Sequence, residues 1–270
     1  ITKDFLDDNS KIGLTHTYFS SDLDNQENII QESYSLDHIT YLLSNQIFID
    51  YQLAQSLSSS NYCVDCINNK ITGNGYSLTL GYASSYPISF SIDLESYDKN
   101  FDINQVGYLA RNNIKKYQLD LGYKIMDPVP FIREMKFNLI SSQSENYDNL
   151  KIGDRIGIES IIESENYSYI RFLHFIDREH YDDYLTYDRE VNKIGLPFLL
   201  PQSTQSAIKF YSDRRKDLSF NIGFEYKESE IHQNNVFDSD DNYIGFDFEL
   251  NGKINFLSIR HINFYYENQK

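Results

Sequence analysis

The chain of 270 residues carries a formal net charge of −16, a mean hydropathy of −0.52, 23 Tyr and 18 Phe, and no Trp. The negative charge argues against nucleic acid as a partner, since phosphate binding requires clusters of Lys and Arg. No stretch approaches the roughly 20 consecutive apolar residues of a spanning helix, so a helical membrane protein is excluded. A membrane β-barrel stays compatible with this composition, because only every second residue of a spanning strand faces lipid.

Alternation of apolar and polar residues predicts β-strands along the whole chain. In the window 116–125, Tyr117, Leu119, Leu121 and Tyr123 share one face, and polar residues and a glycine occupy the other. Because side chains of a strand alternate between its two faces, each such window has one apolar and one polar side. The predicted strands are 11–20, 34–43, 47–56, 76–84, 88–97, 114–125, 136–142, 155–163, 167–177, 206–212, 218–228, 243–250 and 254–265.

The predicted connections alternate in length. Short turns are expected at 44–46, 84–87, 213–217 and 251–252, and long polar loops at 20–33, 57–75, 178–204 and 229–242. Short turns at one end and long loops at the other are typical of outer-membrane barrels, and a tilted strand needs about 9–11 residues to cross a bilayer. We therefore predict an all-β antiparallel meander of roughly 12–16 strands that forms a transmembrane β-barrel. The barrel is expected as one domain, 1–270, or as the C-terminal portion of a larger barrel.

Tyrosines near strand ends indicate where a membrane interface would lie. Tyr76 and Tyr82 are six residues apart on one strand face, and Tyr117 and Tyr123 have the same spacing on another. At roughly 3.3 Å per residue each pair spans about 20 Å, close to the apolar band of a tilted spanning strand. Tyr is also a good strand former in any sheet. The paired spacing favours interfacial girdles, to which Tyr34 and Tyr41 are also assigned.

Three blocks of the sequence resemble a known family. The segment 97–111, YDKNFDINQVGYLAR, is similar to the signature D-F-N-P-E-V-G-F of a bacterial outer-membrane family. The segments 195–201 and 206–216 resemble that family's run ending in Y-S-S-D-x-R-R-P, and residues 1–14 resemble its R-D-F start. Members carry an N-terminal domain similar to family-nine carbohydrate-binding modules, followed by a barrel-like domain of unknown function. The resemblance covers the barrel part and implies an outer-membrane location, a link to saccharides and no established reaction.

Aromatic residues of the long loop 178–204 are the candidate ligand site. Glycan binding uses aromatic platforms beside polar side chains, and this loop is rich in both. The candidate residues are Tyr181, Tyr184, Tyr187 and Phe198.

A second group, in and after the strand 167–177, was weighed as a metal site. His174, Asp177, Glu179 and His180 lie close together in sequence. A metal site needs three or four converging ligands, and a solvated loop is the favoured interpretation of these residues. We therefore predict no metal ligands and no cofactor.

The remaining reactive residues give no catalytic pattern. His16, His38 and His261 lie on predicted strands without a nucleophile motif such as G-x-S-x-G, so no catalytic residue is predicted. Cys63 and Cys66 form a single C-x-x-C pair, which is weak evidence for zinc and indicates a local disulfide or two free thiols.

Basic residues concentrate at predicted turns, at 214–216, at 115–116 and at Arg111. They either keep strand ends out of the membrane or bind phosphates of lipopolysaccharide or a sugar acid. The acidic excess fits solvated loops and a polar lumen, or a pore that prefers cations.

The leading hypothesis is a non-enzymatic outer-membrane β-barrel for passage or surface binding of a small or oligomeric substrate, with a saccharide as the expected class. Its expected partners are the lipid bilayer, lipopolysaccharide and a saccharide, with no nucleic acid. The alternative is a soluble or surface-attached β protein that binds a ligand. A barrel-embedded hydrolase is third.

Overall fold

A computed structural model describes residues 2–5, 9–23, 27–59, 70–83, 87–104, 109, 111–183, 197–216, 218–229, 243–254, 257–259 and 264–267. Over these residues the chain forms β-strands and no helix. Accordingly, this part of the chain offers no helix with the length and apolarity to cross a membrane.

Seventeen strands are defined within the described residues. They are β1 (Thr2–Phe5), β2 (Ser10–Leu23), β3 (Glu27–Leu42), β4 (Ile47–Ser59), β5 (Lys70–Ala83), β6 (Ile88–Tyr97), β7 (Ile114–Val129), β8 (Ile132–Glu145), β9 (Lys151–Ser164), β10 (Tyr169–Asp177), β11 (His180–Asp182), β12 (Phe198–Leu200), β13 (Ser203–Tyr211), β14 (Leu218–Ser229), β15 (Tyr243–Ile254), β16 (Leu257–Ile259) and β17 (Phe264–Glu267).

The strands form one large meander. Fifteen of them make a single sheet in the order β1 to β10, then β13 to β16, and β17 also pairs with β15. The strands β11 and β12 form a separate two-stranded sheet within the connection from β10 to β13. The strand pairs that define this meander, such as β2 with β3 and β13 with β14, are antiparallel. The predicted all-β antiparallel meander is therefore confirmed.

The chain divides into two compact units, and the division runs through the strands β6 to β9. The first comprises Ile1–Ser85, Phe90–Leu119 and Gln143–Lys151, and the second Tyr86–Ser89, Asp120–Ser142 and Ile152–Lys270. In the first, the register places Leu36 opposite Leu53 and Leu53 opposite Tyr76. In the second, Ile208 lies opposite both Phe172 and Phe224. In both units the register therefore aligns apolar side chains in rows across the strands.

Several predicted element boundaries were wrong. The predicted loop 20–33 is mostly strand, since β2 continues to Leu23 and β3 begins at Glu27. The predicted turn at 251–252 lies inside β15, where Gly252 pairs with Leu218. These stretches are rich in Ser, Gln, Asn and Asp, so they lack the apolar alternation on which the prediction depended. The predicted loop 57–75 likewise overlaps β4, which continues to Ser59, and β5, which begins at Lys70.

Apolar side chains are on the surface rather than in a core. Among the described residues the buried hydrophobic side chains are Phe101 and Ala207, whereas ten polar or charged residues are buried. Large apolar residues are exposed along β2 to β14. Examples are Leu14, Tyr18, Leu53, Tyr76, Ile92, Leu121, Tyr123, Phe137, Leu139, Ile158, Ile170, Phe172, Ile208, Ile222 and Phe224.

Candidate functional site

The face of β3, β4 and β5 that carries Ser33, Asp37, Gln52 and Thr79 is here called the polar face of the first unit. The register places Asp37 opposite Gln52, and the two side chains are hydrogen-bonded. Ser33 Oγ lies 2.6 Å from Thr17 Oγ1 of β2, and Thr79 Oγ1 donates to Asp93 Oδ1 of β6 at 2.6 Å. This face consequently presents a continuous layer of hydroxyl, amide and carboxylate groups.

The segment Asp98–Asn104, which follows β6, docks on this polar face and is here called the capping segment. Its Phe101 is only 2% exposed and stacks on Tyr97 with ring centroids 5.4 Å apart. Gly73 and Gly75 of β5 lie beneath it. A Cβ atom at Gly73 would lie 2.2 Å from Phe101 Cα, which is closer than any real contact. The two glycines therefore form a notch, in which Gly73 admits the backbone of the capping segment and Gly75 admits the rings of Tyr97 and Phe101.

Buried polar groups fix the capping segment beside this notch. The side-chain amide of Gln31, a residue that is 1% exposed, donates to the Asp102 carbonyl oxygen at 2.8 Å. The backbone amide of Asp102 donates to Ser56 Oγ at 3.0 Å, and the backbone amide of Asn74 donates to Asp98 Oδ2 at 2.7 Å. Since a buried polar group without a partner costs about 1–3 kcal/mol, these bonds specify one docked position.

A second anchor holds the other side of the capping segment. Lys99 Nζ contacts both carboxylate oxygens of Asp148 at 2.6 and 2.8 Å. Asp148 lies in the turn 146–150, where the Asn146 side-chain oxygen accepts from the amides of Asp148 and Leu150 at 2.9 Å each. The Tyr147 hydroxyl of this turn lies 2.7 Å from the buried Ser96 Oγ. The capping segment is thus held on both sides within the first unit.

A cleft of about 230 Å³ lies between the capping segment and the polar face. Ser33, Ser35 and Gln52 line it on the sheet side, and Phe101 and Ile103 on the side of the segment. The described residues around it include no Lys, Arg, Asp or Glu. The cleft accordingly offers hydroxyl and amide groups beside apolar surface, and the Asp37 carboxylate lies behind them because it accepts hydrogen bonds from Ser35 and Gln52.

The second unit carries paired charges. Glu134 is 5% exposed, and its carboxylate oxygens lie 2.6 Å from Nζ of Lys124 and of Lys136. Arg155 contacts both carboxylate oxygens of Asp177, at 2.6 and 2.9 Å. Other ion pairs of this unit include Arg171–Glu159, Arg133–Glu163, Arg178–Asp154 and Lys209–Glu225. Opposite charges therefore neutralise one another across neighbouring strands.

The turn between β13 and β14 contains a further charged group. Arg215 binds Asp213 bidentately, with Nε–Oδ1 at 2.9 Å and Nη2–Oδ2 at 3.0 Å, and its backbone amide donates to Oδ1 at 3.0 Å. These hydrogen bonds lower the pKa of Asp213 to about 2 and raise the pKa of Arg215. The Arg215 guanidinium also lies 3.2 Å from the ring centre of Tyr167, so the turn is tied to the neighbouring turn 165–168.

Two of the four predicted ligand-binding aromatics, Tyr181 and Phe198, lie within the described residues. Tyr181 is on β11 and exposed, and Phe198 is on β12, where it pairs with Asp182. Tyr181 pairs with Leu199, one position from Phe198, so these two lie on adjacent strands of the same hairpin. Tyr184 and Tyr187 lie outside the described residues, as do Cys63, Cys66 and His261.

The residues weighed as metal ligands have other partners. His174 Nδ1 lies 2.9 Å from Ser206 Oγ, and His180 Nδ1 lies 2.7 Å from the Arg178 carbonyl oxygen. Asp177 is bound by Arg155, as described above. In the part of the chain that the structure describes, no three His, Cys, Asp or Glu residues converge as a metal site would require.

Comparison with known proteins gives one family. The model described as Domain of unknown function (DUF5916) matches residues 23–270. The chain belongs to this family. No curated protein matches the sequence. Membership agrees with the family of unknown function expected from the sequence, and the family's description names no activity.

Within the DUF5916 domain, the block that carried the sequence resemblance includes the capping segment. Sequence reasoning had marked this block but had not given it a place on the sheet, and it missed Gln31, Ser56, Gly73 and Gly75. The pair Gly73 and Gly75 carries a signal that could have revealed the notch. Glycines two apart on one strand face leave that face without side chains, and this often indicates that another backbone approaches closely.

Proposed function

We propose that this DUF5916 domain spans an outer membrane as a transmembrane β-barrel, without enzymatic activity, for passage or surface capture of a small or oligomeric substrate. A saccharide is the proposed substrate class. Lipid and lipopolysaccharide are the proposed surroundings, and nucleic acid is no partner.

The observation that carries this proposal is the inverted placement of apolar side chains. A soluble domain of this size buries most of its large apolar residues, whereas the described strands expose them and bury polar ones. A bilayer reverses the solvent preference, so apolar side chains can face outward while polar groups line the interior. An exposed apolar surface of this extent on a soluble monomer would cause association.

Strand length supports the same proposal. The strands β2 to β5 and β7 to β9 have 13 to 16 residues each. A tilted strand needs about 9–11 residues to cross the hydrocarbon layer, so these strands can cross it and extend beyond it. Of the six predicted girdle residues, Tyr34, Tyr41, Tyr76, Tyr117 and Tyr123 are exposed, as an interfacial ring requires, whereas Tyr82 is half-buried and stacks on Phe90.

The connections favour one orientation. Because neighbouring strands are antiparallel, successive connections lie alternately at the two edges of the meander. One set joins the strands through residues 6–9, 43–46, 84–87, 130–131, 165–168 and 212–217, and none of these connections is longer than six residues. The other set comprises 24–26, 60–69, 98–113, 146–150, 178–202 and 230–242, and four of these six are ten residues or longer. In outer-membrane barrels short turns face the periplasm, so we assign the longer set, with the capping segment, to the cell exterior.

The experiment is refolding into mild detergent beside a detergent-free control, followed by electrophoresis of boiled and unboiled samples. We expect solubility that requires detergent, and a mobility that changes on boiling, because a closed barrel resists denaturation until heated. A monodisperse β protein in plain buffer would contradict the proposal and favour the soluble ligand-binding alternative.

Saccharide capture is tested separately at the hairpin formed by β11 and β12. Titration of the refolded domain with a glycan panel is expected to give binding that weakens in Tyr181→Ala. The matched control is Tyr167→Phe, a tyrosine exposed in a short turn outside this hairpin. Equal binding by all three proteins would remove Tyr181 from the proposed site.

A further inference from the structure

The docked capping segment covers part of the polar face of the first unit. Three of the largest fully buried side chains in the described residues, Phe101, Gln31 and Ser56, meet at this one place. A loop that merely connected β6 to β7 would not require a notch and two buried polar anchors. We infer that the capping segment is a fixed constriction, which limits what the polar face accepts to small, neutral, hydroxyl-rich molecules. This inference rests on the proposed barrel.

The docked position determines on which side of the sheet the capping segment narrows the space. Gln31, Ser56 and Gly73 project from the face opposite to the exposed Leu53 and Tyr76, because alternate residues of a strand point to opposite sides. If the apolar face meets lipid, the capping segment lies on the lumen side. It therefore occupies part of any passage instead of covering the exterior.

The size of the cleft determines which molecules fit. Its volume of about 230 Å³ is smaller than the roughly 300–1,000 Å³ of pockets for drug-sized ligands. Ser35 and Gln52 each donate one hydrogen bond to Asp37, and their remaining oxygen lone pairs and N–H can bind a polyol, while the apolar side of the cleft can contact its C–H groups. Since the carboxylate of Asp37 lies directly behind this lining, the cleft disfavours an anion such as a sugar acid or phosphate. A single neutral sugar ring meets these conditions.

The test uses permeability of proteoliposomes made with the full chain, measured as swelling in a series of neutral sugars from pentose to tetrasaccharide. The wild type is expected to admit monosaccharides and to exclude tri- and tetrasaccharides. Phe101→Ala removes the buried ring that holds the capping segment in place. Gly73→Ala displaces the capping segment by adding a Cβ atom on β5 beneath it, without changing the segment itself. Both variants are expected to raise the trisaccharide rate several-fold.

Two matched controls isolate the constriction. Phe131→Ala removes a phenylalanine that is 78% exposed in a turn, and Gly81→Ala adds a Cβ on β5 against the movable Phe48 ring. Both should keep the wild-type cut-off. Swelling in gluconate, an anion the size of glucose, should be slower than in glucose for the wild type.

The outcomes separate this inference from the proposed function. Heat-dependent mobility in all proteins, with one size cut-off shared by wild type, Phe101→Ala and Gly73→Ala, would overturn the constriction and leave the barrel standing. A wild type with neither heat-dependent mobility nor permeability would overturn both.

Discussion

The effect of the substitution Ile208→Arg on the free energy of unfolding distinguishes a lipid-facing surface from a water-facing one. Ile208 lies on β13, is 51% exposed, and is the centre of the apolar row formed with Phe172 and Phe224. On a protein surface in water, the substitution Ile208→Arg would change the free energy of unfolding by no more than about 0.5 kcal/mol. In a bilayer, the same guanidinium must be placed in hydrocarbon.

The cost follows from the position of Ile208 along its strand. It lies three positions before Tyr211, the last residue of β13. At roughly 3.3 Å per residue and a tilt near 40°, Ile208 lies about 8 Å from that end along the membrane normal. Arginine costs about 2–4 kcal/mol at mid-bilayer, and partial reach to the interface favours the lower half of that range. We expect a loss of about 2–3 kcal/mol, a roughly 30- to 150-fold change in the folding equilibrium constant.

The assay is a urea titration of refolding into lipid vesicles, with the folded fraction read from the unboiled gel band because the chain has no Trp. The matched control is Phe131→Arg, which makes a similar change at an exposed turn outside the apolar rows. We expect the control to lie within about 0.5 kcal/mol of wild type. Equal free energies of unfolding for the two variants would refute the assignment of this face to lipid.

Two further predictions concern charged groups. Arg215 lowers the pKa of Asp213 to about 2, so this group contributes stability that is fully present above the ordinary carboxylate pKa near 4 and is lost as pH falls through 2. Acid titration of unfolding should therefore be shallower between about pH 4 and pH 2 in Asp213→Asn than in wild type, and identical slopes would contradict this. Glu134→Ala leaves Lys124 and Lys136 without their shared counter-charge and should cost about 1–3 kcal/mol in the same urea titration. Glu165→Ala, at an exposed turn of the same unit, is the control and should be close to neutral.

The sequence predicted the meander because its main determinant is local. Alternation such as that of Tyr117, Leu119, Leu121 and Tyr123 depends only on the two-residue period of a strand, and all four side chains are exposed on β7. The polar start of β3, residues 27–33, was missed for the same reason, since residues such as Gln31 and Ser33 show no apolar period. The sequence thus predicts that a segment is a strand where one of its faces is apolar, but it does not predict at which residue the strand ends.

The candidate site could not be predicted, because it depends on contacts between distant parts of the chain. The Gln31 amide reaches Asp102 across 71 positions, and Ser56 reaches it across 46. Neither partner has a local pattern that distinguishes it from other polar strand residues. The paired charges of the second unit, such as Arg155 with Asp177, were likewise hidden by strand register, which composition does not determine.

The separation in sequence between the capping segment and its notch also orders the folding of the first unit. The hairpin between β3 and β4 closes through the four residues 43–46, so it can form early and locally. The notch at Gly73 exists only after β5 has paired with β4, and Phe101 can enter it only afterwards. Docking is therefore a late event, and weakening it should accelerate unfolding while leaving the rate of hairpin assembly unchanged.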